Sequence, residues 1–167
     1  MPPDPLEPDA VSPDGAAPPH GVWRARAQVA EAIAALVAAR LTIARIPLAR
    51  WRGALGRQVD PAFLAKAGPL PANHAARRLA RAVDRGAGRL PGETRCLARA
   101  LTLHAMLRRR RIGATLVIGV RPRAERGSLD DLHAWVLRQG ETLIGGTDTR
   151  HVPLVGFSTE PLSAPMP

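Results

Sequence analysis

The sequence predicts an α+β fold, with N-terminal helices followed by a small antiparallel sheet. Three observations predict it. The chain has 167 residues, long enough to bury one sizeable core and too short for two full domains. Apolar residues recur with a helical period over the first two thirds, and short β-branched runs follow. The last two runs are joined by Gln139 and Gly140, a connection typical of a β-hairpin.

Residues 1–20 are acidic and rich in proline, which predicts a disordered tail. The next part, residues 21–92, is predicted to be helical. Its first helix runs from Trp23 to about Ile46 and is ended by Pro47. This amphipathic helix is interpreted as a core helix, with a membrane-surface or partner-binding helix as the alternative.

Two further helices are expected. Residues 48–72 are interrupted by glycine and proline and predict short turns and loops. A helix then runs from Asn73, a good N-cap residue, to Asp84. The next helix spans Glu93 to Gly113, where glycine provides the stop signal.

The predicted sheet follows in the same domain, whose Cys/His core is expected over residues 93–160. Its strands are predicted at residues 115–121, Leu132–Arg138 and, across the hairpin turn, residues 141–146. The C-terminal residues 161–167 are expected to be flexible.

Composition places the chain among globular proteins with a basic body. Hydrophobic residues make up 46% and charged residues 23%, which excludes wholesale disorder. The net charge of +10 favours anionic partners such as nucleic acid, anionic lipid or an acidic peptide. Arginine on helix faces is usually a solvated surface, so the charge alone assigns no partner.

The sequence gives no sign of secretion, and we expect a cytoplasmic protein. Cys96 is the only cysteine, so it cannot form an intramolecular disulfide. The N-terminus lacks a basic region followed by an apolar one. The longest uncharged apolar stretch near it, residues 32–39, is far below the roughly 20 residues that a membrane span needs. We therefore expect no transmembrane segment.

Cys96 is a candidate nucleophile because it lies in the first turn of a predicted helix. Unpaired N–H groups and the positive end of the helix dipole favour the thiolate there, and the same groups could bind an oxyanion. Arg95 and Arg99 would favour the thiolate further if they lie close, whereas Glu93 would oppose it. The alternative is that a lone cysteine is a small buried hydrophobe.

His133 is a candidate base because it lies inside a predicted strand, LHAWVLR, neither face of which is cleanly polar. Such a strand is expected to be covered on both sides, with the histidine at least partly buried. A hydrogen-bonded core histidine is one interpretation. A base paired with Cys96 is the other, since acyl transfer by a thiol needs an imidazole within reach.

Asp148, beyond the hairpin, is the first candidate to orient the imidazole. Asp130 and Asp131 are alternatives that directly precede the strand and are expected to point into the loop. Other histidines are weaker candidates for the base: His20, His74, His104 and His151. The sequence has no metal-ligand spacing such as CxxC or HExxH and no glycine-rich phosphate loop, so we expect no metal or cofactor.

Three elements together resemble the transglutaminase-like proteins of lasso peptide biosynthesis, the leader peptidase often called the B protein. They are CLARAL at Cys96, the RRRRIGATLVIGV passage and HAWV at His133. The resemblance covers roughly residues 48–157. It implies a papain/transglutaminase-like core in which Cys96 is the nucleophile, His133 the general base and acid, and an aspartate after the hairpin the orienting residue.

The chain departs from that family at the third position. Family members commonly carry an acidic residue at the end of the strand after HAWV, where this sequence has Gly145 and Gly146. Asp148 is the nearest carboxylate that could take over the orienting role.

The resemblance implies a cysteine endopeptidase that removes the leader from a ribosomally made precursor peptide through a thioester. Its implied partners are that precursor, a separate leader-recognition protein and an ATP-dependent lasso cyclase. A same-fold acyltransferase or transglutaminase-type enzyme is the first alternative. A non-catalytic basic module binding through arginines 108–111 is the second, against which stands the lack of stacking aromatics and nucleic-acid motifs.

Overall fold

The computed structural model describes residues 20–60, 73–122, 127, 131–138, 140–146 and 151–159. Its helices are α1 (His20–Arg45), α2 (Leu48–Trp51), α3 (His74–Ala87) and α4 (Cys96–Arg109), with a 3-10 turn at Arg52–Leu55. Its strands are β1 (Arg57–Val59), β2 (Thr115–Val120), β3 (Leu132–Arg138), β4 (Glu141–Ile144) and β5 (Val152–Ser158). The predicted α+β class is confirmed. Residues 1–19 of the predicted tail and the C-terminal segment 161–167 lie outside the described residues, whereas His20, the last residue of the predicted tail, is already helical.

Helix α1 forms as the apolar periodicity predicts and packs against α3 and α4. Ala32 and Leu36 are completely buried, so this stripe is part of the core. Contrary to the expectation from its short uncharged stretch, Gly21–Arg45 is by length and composition apolar enough to cross a membrane. A core helix can meet the same criterion, and the absence of a transmembrane segment stays a prediction.

Helix α3 begins as predicted at Asn73, whose side chain accepts a hydrogen bond from the Ala76 amide at 3.0 Å. This N-cap satisfies one of the amide groups that the first turn leaves unpaired. The helix ends at Ala87, one turn beyond the predicted Asp84. Gly86 is helical and packs against Ala32 and Ile33 of α1, where a Cβ would lie in van der Waals contact at 3.4 Å.

Helix α4 is shorter than predicted at both ends. It starts at Cys96 rather than Glu93, because Arg95 has an extended backbone with φ −61° and ψ 153°. It ends at Arg109, and the chain reverses at Arg111, whose φ is +56°. The predicted stop at Gly113 is therefore wrong: an arginine takes the left-handed position that glycine usually holds after a helix.

The sheet has the order β1-β5-β2-β3-β4, and every pair is antiparallel. The predicted hairpin forms between β3 and β4. In the described register, β4 pairs only with Val136, Leu137 and Arg138 at the end of β3. Because β4 pairs only with the end of β3, the beginning of β3 extends past β4, and this step in the sheet opens the site described below. The sequence predicted neither β1 nor β5.

The core lies between the helices and one face of the sheet. Its completely buried members include Leu79 of α3, Leu103 of α4, Leu116 of β2 and Val136 of β3. Helix α4 runs through this core, since it contacts α1, α3 and strands β2, β3 and β4. The position of its first residue is thereby fixed relative to the step in the sheet.

Candidate active site

Cys96 is the first residue of α4 and is partly buried. Its Sγ lies 3.9 Å from the carbonyl oxygen of Leu132, the residue before His133. The first helical hydrogen bonds in this turn run from the Ala98 and Arg99 amides to the Arg95 carbonyl. The amides of Cys96 itself and its successor precede these donors, as expected for a helix N-terminus.

Arg40 of α1 holds the chain that leads into Cys96, a contact that sequence reasoning missed. Its guanidinium donates to the carbonyls of Pro91 at 3.0 Å, Gly92 at 3.3 Å and Glu93 at 2.6 Å. One rigid planar group thus fixes three successive carbonyls. A helical arginine whose partners are main-chain carbonyls far along the chain leaves no signal in the sequence.

Arg95 and Arg99, the cations predicted to favour the Cys96 thiolate, lie in different surroundings. Arg99 forms an ion pair with Asp84 of α3, so its charge is shared with a carboxylate. Arg95 is exposed, and its charge is therefore screened by solvent. The helix N-terminus lies directly at the thiol, as the sequence predicts.

His133 is half-buried on β3, as the mixed pattern of that strand predicts. Its Nε2 lies 2.5 Å from the carbonyl oxygen of Gly145, the first residue after β4. A carbonyl can only accept, so Nε2 is the donor and carries the hydrogen. In the neutral ring, Nδ1 is then the basic nitrogen.

Two aromatic rings flank His133. The Trp135 ring is stacked with it at 5.8 Å between centroids and 23° between planes. The ring of His151, just before β5, is tilted against it at 5.0 Å and 36°. His151, a weaker candidate for the base in the sequence, is therefore a direct neighbour of the imidazole.

A cavity of about 1200 Å³ brings Cys96 and His133 together. It lies where β3 extends past β4, and Gly145, His151 and Ile43 of α1 also line it. Within the described structure, no hydrogen bond joins the thiol to the imidazole, since the Sγ contact goes to the neighbouring carbonyl. Hydrogen bonds between catalytic groups are often long before substrate binds. Because the thiol and the imidazole line the same cavity, one ligand could contact both.

The remaining predicted site residues fall into two groups. Asp148 and Asp130 lie outside the described residues, as does the side chain of His20. Asp131 accepts from the Gly127 amide at 2.8 Å and so points into the loop as expected. His74 is exposed at the start of α3.

His104 is a core residue, only 2% exposed, with Nε2 2.7 Å from the Leu55 carbonyl. It is therefore removed from the cavity. Over the ranges that the structure describes, no group of three or more His, Cys, Asp or Glu side chains could hold a metal ion.

Comparison with known families supplies the classification. Residues 33–154 match the family described as the Transglutaminase-like superfamily. The chain belongs to this superfamily. The match spans both Cys96 and His133, and it suggests a cysteine-dependent activity of the protease or acyltransferase type. No curated protein and no solved structure matches the chain.

Proposed function

We propose that this transglutaminase-like protein is a cysteine endopeptidase that removes the leader from a ribosomally synthesised lasso precursor peptide. One observation carries the enzymatic part. Cys96, at a helix N-terminus, and His133, with Nε2 already bonded, open into the same cavity. The choice of a lasso precursor rests on the sequence motifs at these two residues.

The proposed reaction starts from the thiolate of Cys96. Nδ1 of His133 takes the thiol proton, and Sγ attacks the carbonyl carbon that joins leader to core. The unpaired amides at the start of α4 would stabilise an oxyanion on that carbon. His133 then protonates the leaving amine as the C–N bond breaks, which leaves a thioester on Cys96.

Water completes the proposed cycle. His133 removes a proton from water as it attacks the thioester, and the products are a leader with a free carboxylate and the regenerated thiol. Asp148 was predicted to orient His133 and stays a prediction, since it lies outside the described residues.

The proposed partners are a precursor peptide, a separate leader-recognition protein and an ATP-dependent lasso cyclase. The proposed location is the cytoplasm.

A cleavage assay in ¹⁸O-labelled water tests the proposal. Precursor peptides are incubated with the protein and the leader-recognition protein, and the products are analysed by mass spectrometry. We expect a leader fragment with one ¹⁸O in its new carboxylate, and no product with Cys96→Ala. A new amide with an added amine would instead assign the same-fold acyltransferase activity. Absence of any product across precursors, together with ordinary Cys96 reactivity, would contradict both.

Reactivity of the thiol tests the site without a substrate. The rate of Cys96 alkylation by iodoacetamide is measured at neutral pH in the parent and in His133→Ala. We expect the parent thiol to react faster than a free thiol and the thiol of His133→Ala to react more slowly than the parent. Equal, ordinary rates in both proteins would contradict an activated nucleophile.

A further inference from the structure

The main-chain carbonyl of Gly145 occupies the place at His133 that the resemblance assigns to a carboxylate. We propose that this carbonyl, rather than the side chain of Asp148, orients the imidazole toward Cys96. Gly145 is thus a positioning residue that acts through its backbone. The proposal rests on the proposed function, since it assigns the orienting group for the same base.

The imidazole of His133 has two ring nitrogens, and one of them is already engaged. Nε2 of His133 is engaged by Gly145 at 2.5 Å, so only Nδ1 is left to accept the thiol proton. A carboxylate from Asp148 could reach Nε2 only by displacing the carbonyl. If it accepted from Nδ1 instead, it would occupy the nitrogen that Cys96 needs.

The backbone at Gly145 leaves no room for a side chain. Its φ is +100°, and a Cβ there would lie 2.5 Å from the Trp135 Cβ and 2.8 Å from the Ala134 carbonyl oxygen. Both distances are far below van der Waals contact, and one of the crowding atoms is main chain. A side chain at position 145 therefore has to displace the segment and with it the carbonyl.

Gly146 provides a matched control. It also has a positive φ, +58°, but a Cβ there would meet nothing within 4 Å. Alanine at either position thus pays for a left-handed backbone, whereas only alanine at position 145 collides with β3. Gly146→Ala therefore reports a left-handed backbone alone, and the additional effect of Gly145→Ala combines its larger φ of +100° with displacement of the carbonyl.

The surroundings of His133 support a fixed ring. Trp135 and His151 flank the imidazole, so the bond to Gly145 selects its orientation within a confined slot. Among the described residues, the titratable and charged groups that share the cavity with it are Arg40, Asp84, Glu93, Arg95, Cys96, Arg99, Arg121 and His151. Gly145 itself adds no charge, so its role is to fix tautomer and direction.

Nitrogen NMR of ¹⁵N-histidine-labelled protein tests the contact directly. At a pH where His133 is neutral, we expect its ring to carry the hydrogen on Nε2, with the signals assigned by their loss in His133→Gln. Gly146→Ala and Asp148→Asn should keep this tautomer, whereas Gly145→Ala should populate the other one. A parent ring protonated on Nδ1, or a tautomer change in Asp148→Asn, would overturn the proposal.

Alkylation of Cys96 at neutral pH tests the consequence. We expect Gly145→Ala to slow it by at least about tenfold, while Gly146→Ala stays within about twofold. Circular dichroism establishes that each variant folds. If Gly145→Ala does not fold, Asp148→Asn decides, because a loss as large as that in His133→Ala would assign the role to the carboxylate.

The two assays separate the two proposals. Ordinary thiol reactivity in the parent would contradict the proposed function, while the tautomer of His133 would still report on Gly145. Conversely, an activated Cys96 thiol together with a His133 ring protonated on Nδ1 would support the proposed function and contradict the orienting role of Gly145.

Discussion

His104 and His133 make the same kind of hydrogen bond in different surroundings. In each, Nε2 lies against a main-chain carbonyl, that of Leu55 at 2.7 Å and that of Gly145 at 2.5 Å. His104 is 2% exposed in the core of α4, whereas His133 borders a cavity that also holds Cys96. The hydrogen bond therefore does not distinguish a structural histidine from a candidate catalytic one. Access to a second reactive group does.

Burial has a measurable consequence for the structural histidine. It lowers the pKa of His104, because the charged ring would lose its hydration. The bond to Leu55 raises this pKa, and the charge of Arg108 lowers it, by smaller amounts. His104 therefore holds the 3-10 turn in its neutral form. The following tests separate its role from that of His133.

Replacing His133 by glutamine is expected to have the largest effect. A general base contributes about 10²- to 10⁴-fold to such a reaction, so peptide cleavage should fall by that range. Thermal unfolding should change little, because the side chain is half-buried at the cavity edge. An unchanged cleavage rate would reduce His133 to the same structural status as His104.

Replacing His104 by alanine is expected to act on stability instead. The change leaves a cavity and an unpaired Leu55 carbonyl, which together cost about 3 kcal/mol of unfolding free energy. His104→Gln is the control, since its amide can still donate to that carbonyl. Urea denaturation measures the loss, and alkylation of Cys96 should be unaffected in both. Slower alkylation in the folded variants would show that the two histidines are not independent.

The pH dependence of stability sharpens the same contrast. The folded-state pKa of His104 is depressed, so the unfolded chain takes up the proton first. The contribution of His104 to the free energy of unfolding is fully present above the unfolded-state pKa of about 6.5, and it is lost as the pH falls below that value. The slope for one proton is about 1.4 kcal/mol per pH unit. The free energy of unfolding of His104→Gln should depend less on pH between about pH 6.5 and the folded-state pKa, which urea titrations measure. A slope identical to that of the parent would contradict the assignment.

Arg40→Ala tests whether the loop before Cys96 needs its anchor. Loss of three partly exposed bonds to carbonyls should cost about 1 kcal/mol of stability. It should also slow Cys96 alkylation a few fold, because the start of α4 becomes less fixed. Arg45→Ala, at an exposed position on the same helix, is the control. Equal alkylation in both variants would leave Arg40 with a purely structural role.

The local features of this contrast were predictable from sequence. The Asn73 cap, the position of Cys96 in a first helical turn and that of His133 in a strand follow from neighbouring residues. The hairpin after His133 follows from its turn residues. The role of Gly145 was not predictable, because matching side chains to a triad does not register a main-chain acceptor.

Strand β5 shows why the rest of the fold was missed. It contains Pro153 and Gly156, which usually mark loops. Pro153 is tolerated beside the irregular register at Gly119. Gly156 lets β1 approach, since a Cβ there would lie 2.9 Å from a Val59 methyl group. Both residues are explained by strands distant in sequence, which local patterns do not reveal.

The smallest expected effect lies at the other end of α4. Glu31 of α1 accepts from Arg110 at 2.5 Å and also pairs with Arg109. Its pKa is lowered, chiefly by the hydrogen bond from Arg110 and against a partial effect of burial. Stability from this group is therefore present above the unfolded value of about 4.5 and is lost as pH falls through the folded one. Because Arg109 is largely exposed, Glu31→Gln should cost only about 0.5 kcal/mol at pH 7.

This loss should shrink in high salt, since exposed charges are screened, and disappear at acid pH, where the parent is also neutral. Urea titrations at two salt concentrations measure it. Cys96 alkylation should not change, because the ion pairs hold the C-terminal end of α4 and the site lies at its N-terminal end. Slower alkylation in Glu31→Gln would mean that the whole helix shifts as a rigid rod. The two ends of α4 would then be coupled, and the separation between structural and candidate catalytic histidines would no longer hold.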